Sequence, residues 1–510
     1  MMAFRRWQDL DSGAVLRILV FVAIFSLAAL PPVDPDLFWH LTNGQVILQS
    51  GWPHTDLYSF SAPGHAWVMH EWLADLAMAL IVRAGGLPLL VALFAGLVTI
   101  TAACLYWLLR RGGLHPTLAA ILTMAGALAG STAWGARPQV LNVTCFAVLA
   151  CGLWLHREGK VPAWWVAPYL WVWANLHSGF LSGVILVGLF LAGEGVEAWR
   201  NHDARALRRL RGLALYGLGG LALAFVNPYG WDTVLFPLGT LFSPLIQNNI
   251  QEWASPDFHS LAGHLLEGIL FVVLAGLGTG RVKARLADWL WTLAFLYLAL
   301  SSQRHVPLFV LAAAPLIGRS AQALLAVGAE IVPRVSKAPA QRVALIATPI
   351  APARSRAMAL VNGAILVGVA AGMLGYRALP NLRPSQEAAS IAAAYPVVGA
   401  DALLREGRAL RVLNYYDYGG YLIYRLWPSG SHVFIDGRVE VYGPGVFSDY
   451  LAVSYASPGW HDVVQRYAPD AIVLPTWHPL VGALSKDPNW RTLSADRVAT
   501  VFVANVAGSQ

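Results

Sequence analysis

Up to about residue 380 the chain alternates long apolar runs with short polar loops, and beyond that point its pattern changes. A helix crosses a hydrocarbon core with about 20 predominantly apolar residues. Measured with that ruler, apolar cores fall at residues 15–30, 87–109, 116–133, 140–155, 161–174, 180–193, 213–226, 265–277, 289–301, 306–317 and 358–374, which predicts about eleven membrane helices. The run 73–82 is also apolar but too short to span, and it stops at Arg83, so it predicts an interfacial or re-entrant segment. Residues 36–51 place Trp39, Val46 and Ile47 within a polar stretch, the pattern of an amphipathic helix at the membrane surface. From residue 380 onward, β-like runs at 411–414, 432–436, 471–475 and 498–505 alternate with helical runs at 386–395, 402–406 and 460–467. Such alternation predicts a small α/β domain of about 130 residues. The expected organisation is a membrane domain over 1–379, with its first outer loop at 31–73, and an α/β domain over 380–510.

Composition supports the membrane reading. The chain is 57% hydrophobic and 12% charged, about half the charge density of a soluble protein, about 25%. That excludes an ordinary soluble enzyme, and the thin excess of +7 argues against a nucleic-acid partner. Cys104, Cys145 and Cys151 all lie in apolar runs, where they read as buried small side chains and not as a disulfide framework or a zinc site.

The basic residues are unevenly placed. Arg5 and Arg6, Arg110 and Arg111, Arg157 and Lys160, the run Arg200 to Arg211, Arg281 to Arg285, and the stretch Arg334 to Arg356 occupy every second loop. The loops between them hold almost no Lys or Arg, so the positive-inside rule predicts a multi-pass protein of the cytoplasmic membrane. Its N-terminus is expected in the cytoplasm and its α/β domain outside. A signal peptide at the first run is the weaker reading, because no small-residue cleavage site precedes the polar loop.

With that orientation, the acidic and histidine residues of the membrane part gather on the outer side. The first outer loop carries Asp34-Pro-Asp36, His40 and His70-Glu71; other outer ends carry Arg137, Asn175-Leu-His177, Asn227-Pro-Tyr229, Glu252, Arg304 and His305. Ionisable groups at membrane depth are costly and commonly line a cavity or bind a substrate. A carboxylate such as Asp36, partly desolvated by aromatic neighbours, has a raised pKa suited to proton abstraction. Asp34 and Asp36 read equally as caps of the amphipathic helix, Arg137 and Arg304 as side chains snorkelling to headgroups, and Asn175 and His177 as helix-to-helix hydrogen bonders. In the α/β domain, Tyr415 to Tyr421 and Asp436-Gly-Arg438 suit either a saccharide or a stiff loop packed on the membrane domain, the latter favoured.

The loop resembles that of the GT-C superfamily of membrane glycosyltransferases, in particular the bacterial group of protein mannosyltransferases, aminoarabinose transferases and galacturonic acid transferases. In that group an acidic residue just after the first span is followed by an aromatic position and by a Gly ending the first interfacial helix; Asp36, Trp39 or His40, and Gly51 match. The usual Asp-Glu pair is Asp-Leu here, preceded by Asp34-Pro35, so both aspartates stand as candidates for the base. The resemblance covers the membrane part and implies transfer of a sugar from a polyprenyl-phosphate-linked donor to a lipid, glycan or protein acceptor at the outer face. It implies that Asp36 or Asp34 deprotonates the acceptor and that Glu71 orients it or holds a divalent cation. Arg304 and His305, then Arg137, would meet the leaving lipid phosphate, with His40, His70, His177 and Tyr229 as further substrate contacts. The alternative classes are a flippase of a polyprenyl-linked glycan, which would show repeated halves and midplane charges, and an O-antigen ligase or polymerase, which would lean on outer Arg and His.

Overall fold

The computed structural model describes residues 10–241, 243–335 and 356–505. Each apolar core predicted above falls on a helix. The membrane part runs through α1 (Ser12–Ala28), α2 (Leu37–Ser50), α3 (Trp72–Arg111), α4 (Pro116–Ala129), α5 (Pro138–Arg157), α6 (Val166–Leu176), α7 (Phe180–Arg200), α8 (Ala204–Leu223), α9 (Trp231–Leu241), α10 (Pro244–Asn249), α11 (Leu261–Gly278), α12 (Leu286–Ser301) and α13 (Val306–Val335), then the helix Arg356–Met373. Six helical segments among the described residues are long and apolar enough to cross a membrane, and α1, α4 and α12 are apolar but shorter. The chain is therefore a multi-pass α-helical membrane protein. Arg5, Arg6, Lys337, Arg342 and Arg354, used above for orientation, lie outside the described residues.

Local chemistry explains where the helices start and break. Pro116, Pro138 and Pro244 sit in first turns, where a missing N–H costs nothing. Asp11, Asp203 and Ser260 cap α1, α8 and α11 with their side-chain oxygens. Within α3, Gly85 and Gly86 leave helical geometry, Gly86 at φ 72°, and Pro88 follows. This break sets residues 72–84 apart from the span that begins near Leu87, in line with the short run expected to stop at Arg83. Helix α2 packs directly on residues 72–84: a Cβ on Gly44 would collide with the Asp75 carbonyl oxygen and Ala79. That approach brings the side chains of α2 beside those that open α3.

The C-terminal part forms a five-stranded sheet of order β2-β1-β3-β5-β4, built from β1 (Arg411–Asn414), β2 (His432–Val433), β3 (Ala471–Pro475), β4 (Trp490–Ala495) and β5 (Ala499–Ala504). β1 pairs in parallel with β2 and β3, whereas β5 is antiparallel to β3 and β4. The expected strand 432–436 is shorter than its apolar run suggests: Phe434 N still donates to Val412 O of β1 at 2.8 Å, but beyond it the Asn414 side chain takes the backbone's place, its Nδ2 donating to Ile435 O at 2.8 Å. β4, with Arg491, Thr492 and Ser494, is a polar edge strand whose sequence carries no apolar signal. The helices Gly419–Leu426 and Val439–Ser454 add to those expected.

This sheet is tied to the loop between α2 and α3. Val433 N donates to Tyr58 O at 2.9 Å and Phe60 N to Val433 O at 3.0 Å, so residues 58–60 extend the edge at β2. Phe38, Tyr58 and Trp67 share one buried apolar core with Tyr421, Val433 and Phe434. Arg438, fully buried, ion-pairs with Asp56 of the loop at 2.8 Å and with Asp436 at 2.6 Å.

Candidate functional site

Helix α2 sets the position of Asp36. Asp36 is its N-cap residue, yet its side chain makes no capping hydrogen bond. Asp34 takes the local backbone role, with its Oδ1 accepting from Asp36 N at 3.0 Å. The Asp36 carboxylate is left to accept from Trp39 Nε1 at 2.9 Å, one turn along the same helix. Burial, helped by the neighbouring Asp34 charge, pushes its pKa up to about 6; His40, the Trp39 hydrogen bond and Arg137 act against this.

Next to Trp39, His40 points to the opening of α3. Its Nδ1 lies 2.6 Å from Asp75 Oδ1, and Asn43 Nδ2 donates to the other Asp75 oxygen at 2.9 Å. Burial disfavours the imidazolium, but the charge of Asp75, its hydrogen bond and the nearby Glu71 and Asp36 outweigh that and raise the His40 pKa to about 9. Glu71 sits among three histidines: His177 Nε2 at 3.2 Å, His70 Nε2 at 3.6 Å and His40 Nε2 at 3.7 Å. Burial is the main cause that raises its pKa to about 8, with Asp75 and Asp36 adding and His40 and Arg304 opposing. His70 and His177 are held neutral by burial, His70 down to about 3 and His177 well below its usual value. His177 Nδ1 accepts from Gly179 N at 2.7 Å, so the ring proton sits on Nε2, facing Glu71.

The guanidinium groups differ in how far they are engaged. Arg137 is taken up by Glu252, by Asp34 Oδ2 at 3.6 Å and by the Thr132 carbonyl at 3.1 Å. Arg304 donates from Nη2 to Gln139 at 3.2 Å and stacks over Trp253 at 4.8 Å, with no carboxylate in ion-pair contact among the described residues. His305 meets the edge of Trp253, and its buried Nδ1 has no hydrogen-bond partner there.

His40, Glu71, His70 and His177 are thus linked through successive contacts, with Asp36 within electrostatic reach of His40 and Arg304 within that of Glu71. Tyr229 is placed differently: its hydroxyl donates to Pro53 O at 2.9 Å and its ring meets His54 at 4.9 Å, so it clamps the loop between α2 and α3. Asn175 accepts from Trp72 Nε1 at 2.8 Å, a helix-to-helix bond of the kind expected. The environment of Glu71 does not fit a divalent cation. His177 presents an N–H, His40 is already bound by Asp75, and no group of three His, Cys, Asp or Glu side chains among the described residues is arranged to hold a metal ion.

Sequence reasoning missed the cover over Asp36. A Cβ on Gly437 would overlap Asp36 Oδ1, and one on Gly420 would overlap Pro35 O, so a glycine turn and the start of the helix Gly419–Leu426 rest on the start of α2. The Asp436-Gly-Arg438 turn is locked from behind: Arg438 Nε donates to Asp436 Oδ1 at 2.8 Å, and the Tyr442 hydroxyl donates to Asp436 Oδ2. A Gly between two charged residues was a visible signal, but only the tertiary contact shows what approaches it.

The sequence matches no protein-family model and no curated protein. Its structure is similar to solved membrane glycosyltransferases. ArnT from Cupriavidus metallidurans bound to undecaprenyl phosphate aligns at TM-score 0.50 and 16% identity over 98% of this chain and 99% of that one. The archaeal oligosaccharyltransferase AglB from Archaeoglobus fulgidus, in complex with an inhibitory peptide and a dolichol-phosphate, aligns at TM-score 0.52 and 11% identity over 91% and 69%. The mycobacterial arabinofuranosyltransferase AftD aligns at TM-score 0.51 and 15% identity over 96% of this chain and 41% of that one. The chain has the fold of the GT-C membrane glycosyltransferases.

Proposed function

We propose that the protein transfers a sugar from a polyprenyl-phosphate-linked donor to an acceptor hydroxyl at the outer face of the cytoplasmic membrane, with Asp36 as general base. The observation that carries this reading is the state of Asp36: making no capping hydrogen bond, raised to about 6, and held only by Trp39 among side-chain hydrogen-bond partners in the described residues. In the reaction Asp36 takes the proton of the acceptor hydroxyl as its oxygen bonds to the anomeric carbon. The bond from that carbon to the phosphate oxygen breaks, and the electron pair leaves on the polyprenyl phosphate. Arg304, not consumed by a carboxylate, supplies donors for the departing phosphate. Glu71, neutral below about pH 8, positions His40 and His177 without placing a second negative charge beside the phosphate. The similarity to proteins solved with undecaprenyl phosphate and dolichol-phosphate supports a lipid-phosphate donor. The acceptor is a lipid, glycan or protein, and the 1–379 and 380–510 parts act as one site through the glycine turn over Asp36.

The test is transfer from a panel of polyprenyl-phosphate sugars by the purified wild type and Asp36→Asn in membranes. Turnover by the wild type and loss in the variant is expected. Equal turnover by both, or none with any donor, overturns the reading.

A further inference from the structure

A cavity of 620 Å³ opens between the segment α9–α10 and the C-terminal helix Val439–Ser454. Its volume is in the range of small-ligand sites, about 300–1,000 Å³. Phe236, Thr240, Ile246 and Asn249 line one wall, and Glu440 and Pro444 line the other. Both walls touch the groups described above. The Phe236 ring stacks on His70 at 3.7 Å, next to Glu71. Glu440 is exposed to the cavity and follows closely on Gly437, whose Cα rests against Asp36.

The lining has a definite chemical character. Glu440 is its one ionisable residue, and the rest are apolar, hydroxyl or amide groups. Glu440 has no ion-pair partner among the described residues. An anionic ligand is disfavoured here, so the donor phosphate belongs with the guanidiniums, and this cavity suits a neutral polyol. A sugar ring has both properties the walls ask for: a C–H face for Phe236 and Pro444, and hydroxyls for a carboxylate and amides.

We propose that this cavity binds the saccharide end of the acceptor, with the Glu440 carboxylate accepting hydrogen bonds from two neighbouring hydroxyls of a neutral sugar ring and so turning a further hydroxyl toward Asp36. This rests on the transferase reading. It makes Glu440 a substrate-binding residue contributed by the C-terminal domain, and it makes the acceptor a glycan or glycolipid.

The test uses the full chain in detergent and saturation-transfer NMR with methyl α-mannoside, methyl β-galactoside and N-acetylglucosamine as free probes, and lysine methyl ester as a cationic one. At least one sugar is expected to bind, with affinity about tenfold weaker in Glu440→Gln, as for loss of charge-assisted hydrogen bonds. Thr240→Trp, which fills the cavity from the opposite wall, is expected to abolish binding and serves if Glu440→Gln fails to fold. No sugar binding, binding indifferent to both variants, or preference for lysine methyl ester overturns the inference. The readout separates the two proposals. Glu440-dependent sugar binding without turnover of any donor leaves this site standing and sinks the transferase reading; turnover with sugar binding indifferent to Glu440 does the reverse.

Discussion

Two clusters of charged side chains occupy opposite ends of the same helices, and they solve burial in opposite ways. At the end away from Asp36, Arg157 meets Glu194 and Asp288, each at 2.9 Å; Arg285 meets Glu194 at 2.8 Å and Arg319 meets Asp288 at 2.5 Å. Arg157 also lies over Trp154 at 4.7 Å and Phe190 at 5.3 Å. Each carboxylate there faces two guanidiniums, and α5, α7, α12 and α13 are tied together. At the other end Asp36 and Glu71 have no arginine in ion-pair contact among the described residues and lie among histidines, indole and each other's charge. Burial is the largest cause that raises the pKa values of both. The first arrangement holds helices in place, and the second leaves groups ready to exchange protons near neutral pH.

The largest expected contrast is catalytic. Asp36→Asn should lower transfer by about 10²–10⁴-fold, the range of a general base, while the thermal unfolding temperature of the detergent-solubilised protein stays close to wild type. Asp288→Ala should do the opposite. Removing one partner from a buried ion pair costs about 3–5 kcal/mol, so the yield and thermal stability of folded protein should fall, with activity lost only in proportion. If Asp288→Ala leaves stability intact, the structural reading of that cluster fails.

A finer effect concerns the cover. Gly437→Ala forces a methyl group onto Asp36 Oδ1, and a displacement of about 1 Å at a reacting group costs about 10²-fold. A drop in kcat with unchanged stability is expected, and a fully active variant would show that the turn does not constrain the base.

The smallest effect lies in the pH profile. Asp36 must be ionised to act, so transfer should rise as pH passes upward through about 6. Glu71 becomes charged above about 8 and should then oppose the departing phosphate, so transfer should fall. Glu71→Gln, neutral at every pH, should keep most of the activity at pH 7 and lose the alkaline limb. An unchanged alkaline limb in that variant would assign it to another group, with the raised His40 the next to examine.

Periodicity and apolar length read well where one residue's neighbours in sequence decide its state. The strands Arg411–Asn414 and Ala471–Pro475 and the helix Trp460–Tyr467 lie where expected, because each is a continuous apolar run or a clear helical pattern. The helix after Asp36 was legible from Trp39, Val46, Ile47 and Gly51, which ends it at φ 83°. Its cap was not: two aspartates offered the capping hydrogen bond, yet the Asp36 side chain makes none and Asp34 accepts from Asp36 N instead. The expected gathering of carboxylates on one side also needs correction: Glu194 and Asp288 lie at the opposite end, in apolar helices whose pattern gives no sign of the arginines that meet them. Tyr229, expected as a substrate contact, instead fastens a loop through a carbonyl far away in sequence.

The chain by itself thus determined a membrane protein with a small α/β part, and it marked Asp36, because hydropathy, charge and capping are properties of a residue and its near neighbours. What the tertiary structure decided is which charges neutralise one another. Glu71 among histidines, Asp288 between arginines, and Gly437 against Asp36 all join segments far apart in sequence, and in a low-dielectric interior those distances of a few ångströms set whether a carboxylate is a brace or a base.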